Sequence, residues 1–190
     1  MIFLLCFCFK LIILCAMLIL VALILSGFMV AVIFYDARYY IIPNWLNAAL
    51  LLIYPVWYFV APAPLDVMSA LIMFGILFTS GFIMFALRIM GGGDVKLLAV
   101  CGLYMGCSAP GLHFVIYTAL LGGLLSIVLI ASRLVVPIYY AKSNRADIPL
   151  IFTMGGPVPY GLAIAGAFLM VLWLGKMPGL PLDLGALPRL

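Results

Sequence analysis

The chain has 190 residues, of which 69% are hydrophobic and only 7% are charged. Soluble domains contain about 45–50% apolar and about 25% charged residues, so this composition excludes a soluble globular protein. The net charge of +4 comes from basic residues scattered between apolar runs, a pattern that fits anchoring at lipid headgroups and does not indicate nucleic-acid binding. Because a helical span takes about 20 apolar residues, we expect an all-α, polytopic integral membrane protein with about six transmembrane helices.

Six apolar segments predict these helices in chain order. Proline, glycine and polar residues separate the segments, and such residues typically interrupt helices. The first run is too long for the apolar part of a signal peptide and shows no A-x-A cleavage site, so we interpret it as a retained span. Pro43 fits the start of the second helix, and Asn44 is the expected cap nearby. The spans cover roughly residues 11–35, 45–61, 67–87, 95–107, 112–135 and 158–174.

The basic residues predict the orientation of the spans. If successive connections alternate between the two sides of the membrane, the basic residues divide unevenly between them. The positive-inside rule assigns the richer side to the cytoplasm, which leaves both termini outside. The richer side holds Arg38, Arg88, Lys96, Arg133, Lys142 and Arg145, and the other side holds Lys10, Lys176 and Arg189.

Aspartate is the only acidic residue type in the chain, with five copies. Asp36 leaves the first span and Asp94 enters the fourth on the same predicted side, whereas Asp66 and Asp183 fall on the opposite side. Two carboxyl groups that lie close together tend to share one proton. The ionised member can take a proton from water while the protonated member polarises a carbonyl, which is the chemistry of an aspartic peptidase. Asp36 and Asp94 are therefore the predicted catalytic pair.

The surroundings of Asp94 fit a functional site and also fit a purely structural role. The glycines at 91–93 allow close approach of a substrate strand or a neighbouring helix. The fourth span gives about 20 Å of helix against a hydrocarbon core of about 30 Å, which predicts that Asp94 is recessed below the membrane surface. The residues also allow a structural interpretation. Asp36 would then be an ordinary interfacial residue that pairs with Arg38, and Asp94 would cap its helix and pair with Lys96.

No metal or cofactor site is predicted. The five cysteines lie in apolar runs and form no C-x-x-C pair, which fits small apolar residues better than zinc ligands. His113 is the only histidine, and a single histidine does not predict a metal site. We interpret His113 as an interfacial residue.

Three local motifs resemble those of the bacterial type IV prepilin peptidases. Residues 35–44 read YDARYYIIPN, similar to a first signature in which an aspartate at the end of a span precedes Ile-Pro-Asn. Residues 90–99 read MGGGDVKLLA, similar to the second signature, Gly-x-Gly-Asp followed by Val-Lys-Leu. Residues 159–161, Pro-Tyr-Gly, resemble a segment that opens the last span of the family. The order and spacing of the three motifs fit the family over most of the chain.

The resemblance implies an inner-membrane aspartic endopeptidase that removes the leader from pilin-like precursors at the cytoplasmic face, just before their hydrophobic helix. It assigns catalytic roles to Asp36 and Asp94 without fixing which of them is the general base. The residues expected to bind substrate or shape the site are Gly91, Gly93, Lys96, Pro43 and Asn44. Tyr160 and Gly161 either pack near the site or only begin the last helix. The implied partners are prepilin precursors and the lipid bilayer, with no nucleic acid.

Larger members of that family carry a cytoplasmic cysteine-rich segment and also methylate the new pilin terminus. This sequence shows neither such a segment nor a candidate site for S-adenosylmethionine. We therefore expect residues 1–190 to form a single transmembrane peptidase domain, similar to the short peptidases of Flp-type pili in tight-adherence systems. Other functions stay open: an intramembrane protease similar to presenilin or signal peptide peptidase, a small proton-coupled transporter, or a structural subunit of a secretion machine. The oligomeric state is not predicted.

Overall fold

The computed structural model describes residues 2–61, 64–142, 156 and 158–178, and the side chains of these residues except at 2–12 and 138–142. Over this part of the chain the backbone forms six helices and no strand, which confirms the predicted all-α class. They are α1 (Ile2–Tyr39), α2 (Asn44–Val60), α3 (Val67–Ala86), α4 (Gly92–Met105), α5 (Ala109–Lys142) and α6 (Tyr160–Trp173).

Three helices are long and apolar enough to cross a membrane, over Ile13–Tyr39, Val67–Ala86 and Ala109–Pro137. The apolar helices α2 and α6 are shorter, and α4 has only 14 residues, or about 21 Å. Large apolar side chains such as Phe82 and Leu120 are exposed on the outer faces of α3 and α5. Surfaces of this kind are stable against lipid and not against water. The chain is therefore a helical membrane protein.

Helix α1 continues past the predicted end of the first span. The sequence predicted that the first span ends at about residue 35, and this was wrong, because the helix runs on to Tyr39 and includes Asp36 near its end. Tyr40 then adopts a left-handed backbone conformation (φ 55°), and its N–H donates to the carbonyl oxygen of Asp36 at 3.0 Å. This is a common way to end a helix. Pro43 disfavours the helical conformation only at the residue before it, Ile42. The proline therefore does not end α1 at Asp36.

Helix α4 lies at the centre of the bundle. It packs against α2, α3, α5 and α6, and most of its residues are buried. Glycines let α3 and α4 approach closely: a Cβ on Gly81 would lie 3.0 Å from Val95 Cγ1, and a Cβ on Gly102 would lie 2.6 Å from Leu77 Cδ1. Small residues at helix contacts are typical of membrane bundles, where close backbone packing replaces the hydrophobic effect.

The connections bring the three motifs to one end of the bundle. Lys96 lies near the start of α4, and Asn44 lies at the start of α2. The Nζ of Lys96 donates a hydrogen bond of 2.9 Å to Asn44 Oδ1. At the opposite end, the backbone N–H of Cys107 donates to Ser69 Oγ at the start of α3 at 2.7 Å. Gly161, at the start of α6, lies against Asp36 near the end of α1. The end of α1 and the starts of α2, α4 and α6 therefore share one end of the protein.

Candidate active site

Asp36 lies on the inward face of α1. Leu25, Met29 and Val32 are fully buried, and their spacing of three or four residues places them on one face of the helix. Asp36 continues that face one turn later, and its side chain is only 3% exposed. Arg38 is exposed two positions further on, where a helix presents a different face. Asp36 therefore points into the bundle and not toward a surface pair.

Asp94 lies in the first turn of α4. The backbone N–H of Gly91 donates to Asp94 Oδ2 at 3.2 Å, so one carboxyl oxygen caps the helix. A Cβ at Gly91 would lie 3.1 Å from this oxygen, so glycine leaves the carboxyl group room. The side chain is 8% exposed, and its Oδ1 has no hydrogen-bond partner among the described residues. The capping hydrogen bond accounts for Asp94 Oδ2, and Oδ1 remains available to take part in a reaction.

Both carboxyl groups lie beside Gly161 in the first turn of α6. The backbone N–H of Gly161 lies next to both of them, and the N–H of Leu162 lies next to Asp36. Asp36 and Asp94 are close enough for their charges to interact directly. A Cβ at Gly161 would lie 2.7 Å from Asp36 Oδ2, so only glycine allows the start of α6 to come this near. The partial positive charge at a helix start stabilises an anion at this position.

A cavity of about 720 Å³ opens onto both carboxyl groups. Its walls come from the end of α1, the connection between α3 and α4 and the residues before α6, and they include Tyr40, Arg88 and Gly156. Tyr40 and Arg88 have left-handed backbones (φ 55° and 59°), which are costly for residues other than glycine and are often retained at functional sites. The cavity volume falls within the range of about 300–1,000 Å³ that is typical of ligand-binding clefts.

The other predicted site residues divide into two groups. Gly91 lines the cavity together with the carboxyl groups. Gly93 lies behind it, where a Cβ would come within 3.1 Å of the carbonyl oxygen of Ile42. Gly93 therefore lets the α1–α2 connection pack on the start of α4. Lys96 is exposed and lines a separate groove between α2 and α3.

The predicted Asn44 cap is wrong. Pro43 occupies the cap position of α2, and no side-chain hydrogen bond caps this helix. Asn44 is the first residue of α2, and its Oδ1 accepts a hydrogen bond from Lys96 instead. The tertiary contact to α4 has replaced the local capping bond. The Asn44–Lys96 hydrogen bond thus holds α2 against α4, Pro43 begins α2, and none of the three residues lines the cavity.

A sequence comparison decides the family. A model of the type IV leader peptidase family matches residues 23–127, just over half of the chain, and the match includes Asp36 and Asp94. The chain belongs to the type IV leader peptidase family. No curated protein and no solved structure matches the chain. Membership supports a leader-peptidase function, with prepilins as the implied substrates.

Two residues of this leader peptidase gain importance from the structure. The family match ends before α6, so Gly161, which touches the Asp36 carboxyl group, lies beyond it. The Pro-Tyr-Gly motif at 159–161 was the only feature of the sequence that pointed to this position. Asn47 was missed: it is 5% exposed, and its Nδ2 donates to the Gly93 carbonyl, immediately before Asp94, at 3.3 Å. A polar residue inside an apolar helix is the feature that could have identified Asn47.

The remaining aspartates do not contribute to this cavity as far as the structure describes them. Asp66 caps the start of α3 at the opposite end of the bundle, where its side chain accepts a hydrogen bond from the Met68 N–H at 3.0 Å. Asp147 and Asp183 lie outside the described residues. Within the described ranges, His, Cys, Asp and Glu side chains form no group of three that could hold a metal ion.

Proposed function

We propose that this leader peptidase is an aspartic endopeptidase in which Asp36 and Asp94 act as a pair. The observation that carries the proposal is the convergence of two buried carboxyl groups, from helices distant in sequence, on one cavity beside the start of α6. Buried carboxyl groups are costly in a membrane and are kept there mainly for function. The Gly161 N–H beside both groups supports a shared negative charge.

The chemistry follows from a pair that holds one proton. The ionised carboxylate takes a proton from water as the water oxygen attacks the peptide carbonyl carbon, and the protonated partner gives its proton to the carbonyl oxygen. The first carboxyl group then passes its new proton to the peptide nitrogen as the C–N bond breaks. One hydroxyl of the intermediate returns a proton to the second carboxylate, which restores the pair. Either aspartate can be the base, because the two groups titrate together.

The charge distribution supports an active site at the cytoplasmic face of the inner membrane. Arg38, Arg88 and Lys96 lie at the carboxylate end of the bundle, whereas Lys176 lies near Tyr117 toward the opposite end. The positive-inside rule places the more basic end in the cytoplasm. The side chains at positions 10, 142, 145 and 189, which also entered the sequence-based prediction, lie outside the described residues.

The sequence of residues 1–190 supports Flp-type prepilins as the substrates. These residues contain no cysteine-rich segment of the kind found in the methylating enzymes, and in this they resemble the short peptidases of Flp-type pili. We therefore assign residues 1–190 to a transmembrane peptidase domain that removes the leader of Flp-type prepilins. The lipid bilayer and the precursor are its partners.

Co-expression with a Flp-type prepilin tests the proposal, with leader removal followed by gel shift. Asp36→Asn and Asp94→Asn change one carboxyl oxygen into an amide at nearly constant volume, and each should leave the precursor uncut. Asp66→Asn is the matched control, since Asp66 lies at the opposite end of the bundle, and it should process the precursor normally. Normal processing by either Asp36→Asn or Asp94→Asn, at the same protein level in the membrane as the unsubstituted protein, would rule out the paired mechanism.

A further inference from the structure

A second cavity, of about 360 Å³, lies between α3, α5 and α6. We call it the α5 groove. Met90 and Leu98 line it from the α4 side, and the remaining lining comes from the three surrounding helices. Ala119 and Gly123 of α5 are exposed in it, so the groove opens on the outer surface of the bundle, where lipid lies in a membrane.

The α5 groove adjoins the carboxylate cavity. Met90 lines both. Leu98 follows Asp94 on α4, and Ile164 follows Gly161 on α6, each by roughly one helical turn, or about 5.4 Å. For a polypeptide at the two carboxyl groups, the groove is therefore the neighbouring surface along the bundle.

Small residues of α5 give the groove the shape of a helix-packing surface. Ala119 and Gly123, and likewise Gly122 and Ser126, are four residues apart and line the groove together. A Cβ at Gly123 would meet no atom within 4 Å, and a Cβ at Gly122 would meet only Ala163 at 3.8 Å, so this space is not filled by the described residues. Small residues at this spacing allow two membrane helices to approach closely.

The dimensions of the groove suit the first turns of one helix. On α5 the lining residues run from Val115 to Ser126, which is about 16 Å or three helical turns. Thr118 also lines the groove, and its buried hydroxyl has no hydrogen-bond partner within the described part of the chain. Helical threonines commonly bond to a carbonyl one turn back, so an unbonded hydroxyl here is available to an occupant.

We propose that the α5 groove binds the apolar helix of a membrane-bound substrate, so that the peptide bond preceding this helix is placed at Asp36 and Asp94. The inference rests on the proposed peptidase function. An occupant of the groove lies next to the carboxylate cavity, because the two cavities share Met90. A substrate needs to bind next to the carboxyl groups in order to be cut. A lipid chain or a second copy of the protein has no such need. Those two occupants are alternative outcomes of the test.

Photo-crosslinking in membranes identifies the occupant. The protein carries Asp94→Asn to prevent cleavage and p-benzoylphenylalanine at position 115, and it is co-expressed with a Flp-type prepilin. Val115 lines the groove near the start of α5 and is already a large side chain, so the probe leaves the small residues of the groove unchanged. Val128 of the same helix is the matched control, because it is also exposed but does not line the groove. We expect crosslinks to the apolar helix of the prepilin from position 115 and not from position 128. Crosslinks only to lipid, only to a second copy, or equally from both positions would overturn the proposal.

Kinetics separate a failure of the groove from a failure of the proposed function. Gly123→Leu fills the groove, and Gly75→Leu is its control. Each variant is assayed on the prepilin and on a soluble peptide that spans the cleavage site but lacks the apolar helix. In Gly123→Leu we expect the ratio of kcat/KM for the prepilin to that for the peptide to fall about tenfold, mainly through KM. An unchanged ratio would contradict the proposed role of the groove in binding the substrate helix. If the unsubstituted protein cleaves neither substrate, the proposed peptidase function itself is contradicted.

Discussion

The tightest contact at the candidate active site predicts the effect of a single added methyl group. In Gly161→Ala, the new Cβ would lie 2.7 Å from Asp36 Oδ2, 3.0 Å from the Asp36 carboxyl carbon and 2.8 Å from Ile42 Cδ1. Carbon–oxygen contacts normally lie at about 3.3–3.6 Å, so the carboxyl group or the start of α6 has to move by roughly 0.6–0.9 Å. The displaced atoms are those that the proposed mechanism uses for proton transfer.

The size of this displacement sets the expected loss of activity. A misplacement of about 1 Å at a reacting group costs on the order of 10²-fold in rate. We therefore expect kcat/KM of Gly161→Ala to fall by about 10- to 100-fold, which corresponds to roughly 1.4–2.7 kcal/mol in the activation free energy. The free energy of unfolding should change less, because alanine is better than glycine in a helix by up to about 1 kcal/mol and this offsets part of the strain.

Leader removal by purified protein, together with a thermal unfolding curve, measures both quantities. Gly75→Ala is the matched control: it makes the same change in a helix where no atom that the structure describes outside that helix backbone lies within 4 Å of the new Cβ, and it should keep its activity. An unchanged kcat/KM in Gly161→Ala would refute the placement of Gly161 against Asp36. A loss of activity matched by an equal loss of stability would refute the local explanation.

Three further substitutions test contacts around the site. Asn47→Leu removes the hydrogen bond to the Gly93 carbonyl, which positions Asp94. We expect about a tenfold lower kcat with little change in KM, and a change confined to KM would contradict a positioning role for Asn47. Tyr104→Phe leaves the buried carbonyl of Leu50 without its 2.6 Å hydrogen bond, so the free energy of unfolding should fall by about 1–2 kcal/mol, and unchanged thermal unfolding would count against that bond. Gly102→Leu overfills the α3–α4 contact and should lower the free energy of unfolding by about 1–3 kcal/mol in the same assay, whereas a stable variant would show that the helices can separate freely.

The sequence predicted the helices well because lipid imposes long apolar runs. The third span was expected at 67–87, and α3 occupies Val67–Ala86. The end of α1 was missed because Asp36 interrupts an apolar run and therefore resembled a loop residue. In the structure Asp36 stays helical, since it continues the buried face of α1 and lies beside the backbone N–H groups of α6. Tertiary contacts of this kind do not appear in hydropathy.

The candidate site was predicted in part for similar reasons. Alternation of spans across the membrane is enough to bring Asp36 and Asp94 to one end of the bundle. It does not fix the rotation of each helix, so the contact of Gly161 with Asp36 and the bond from Asn47 to Gly93 required the folded bundle. The Asn44 cap failed because local capping preference was outweighed by a partner on another helix. Sequence patterns do not determine the role of a side chain when that role depends on a contact between two helices.

The central claim is that Asp36 and Asp94 work as one catalytic unit, and a double-mutant comparison tests it most directly. Single-turnover cleavage of a Flp-type prepilin is measured for the purified protein, for Asp36→Asn, for Asp94→Asn and for the double variant. If the carboxyl groups share one proton, each single substitution should slow cleavage as much as the double one, on the order of 10³-fold or more. Single variants that keep substantial activity, with losses that multiply in the double variant, would show that the two aspartates act independently.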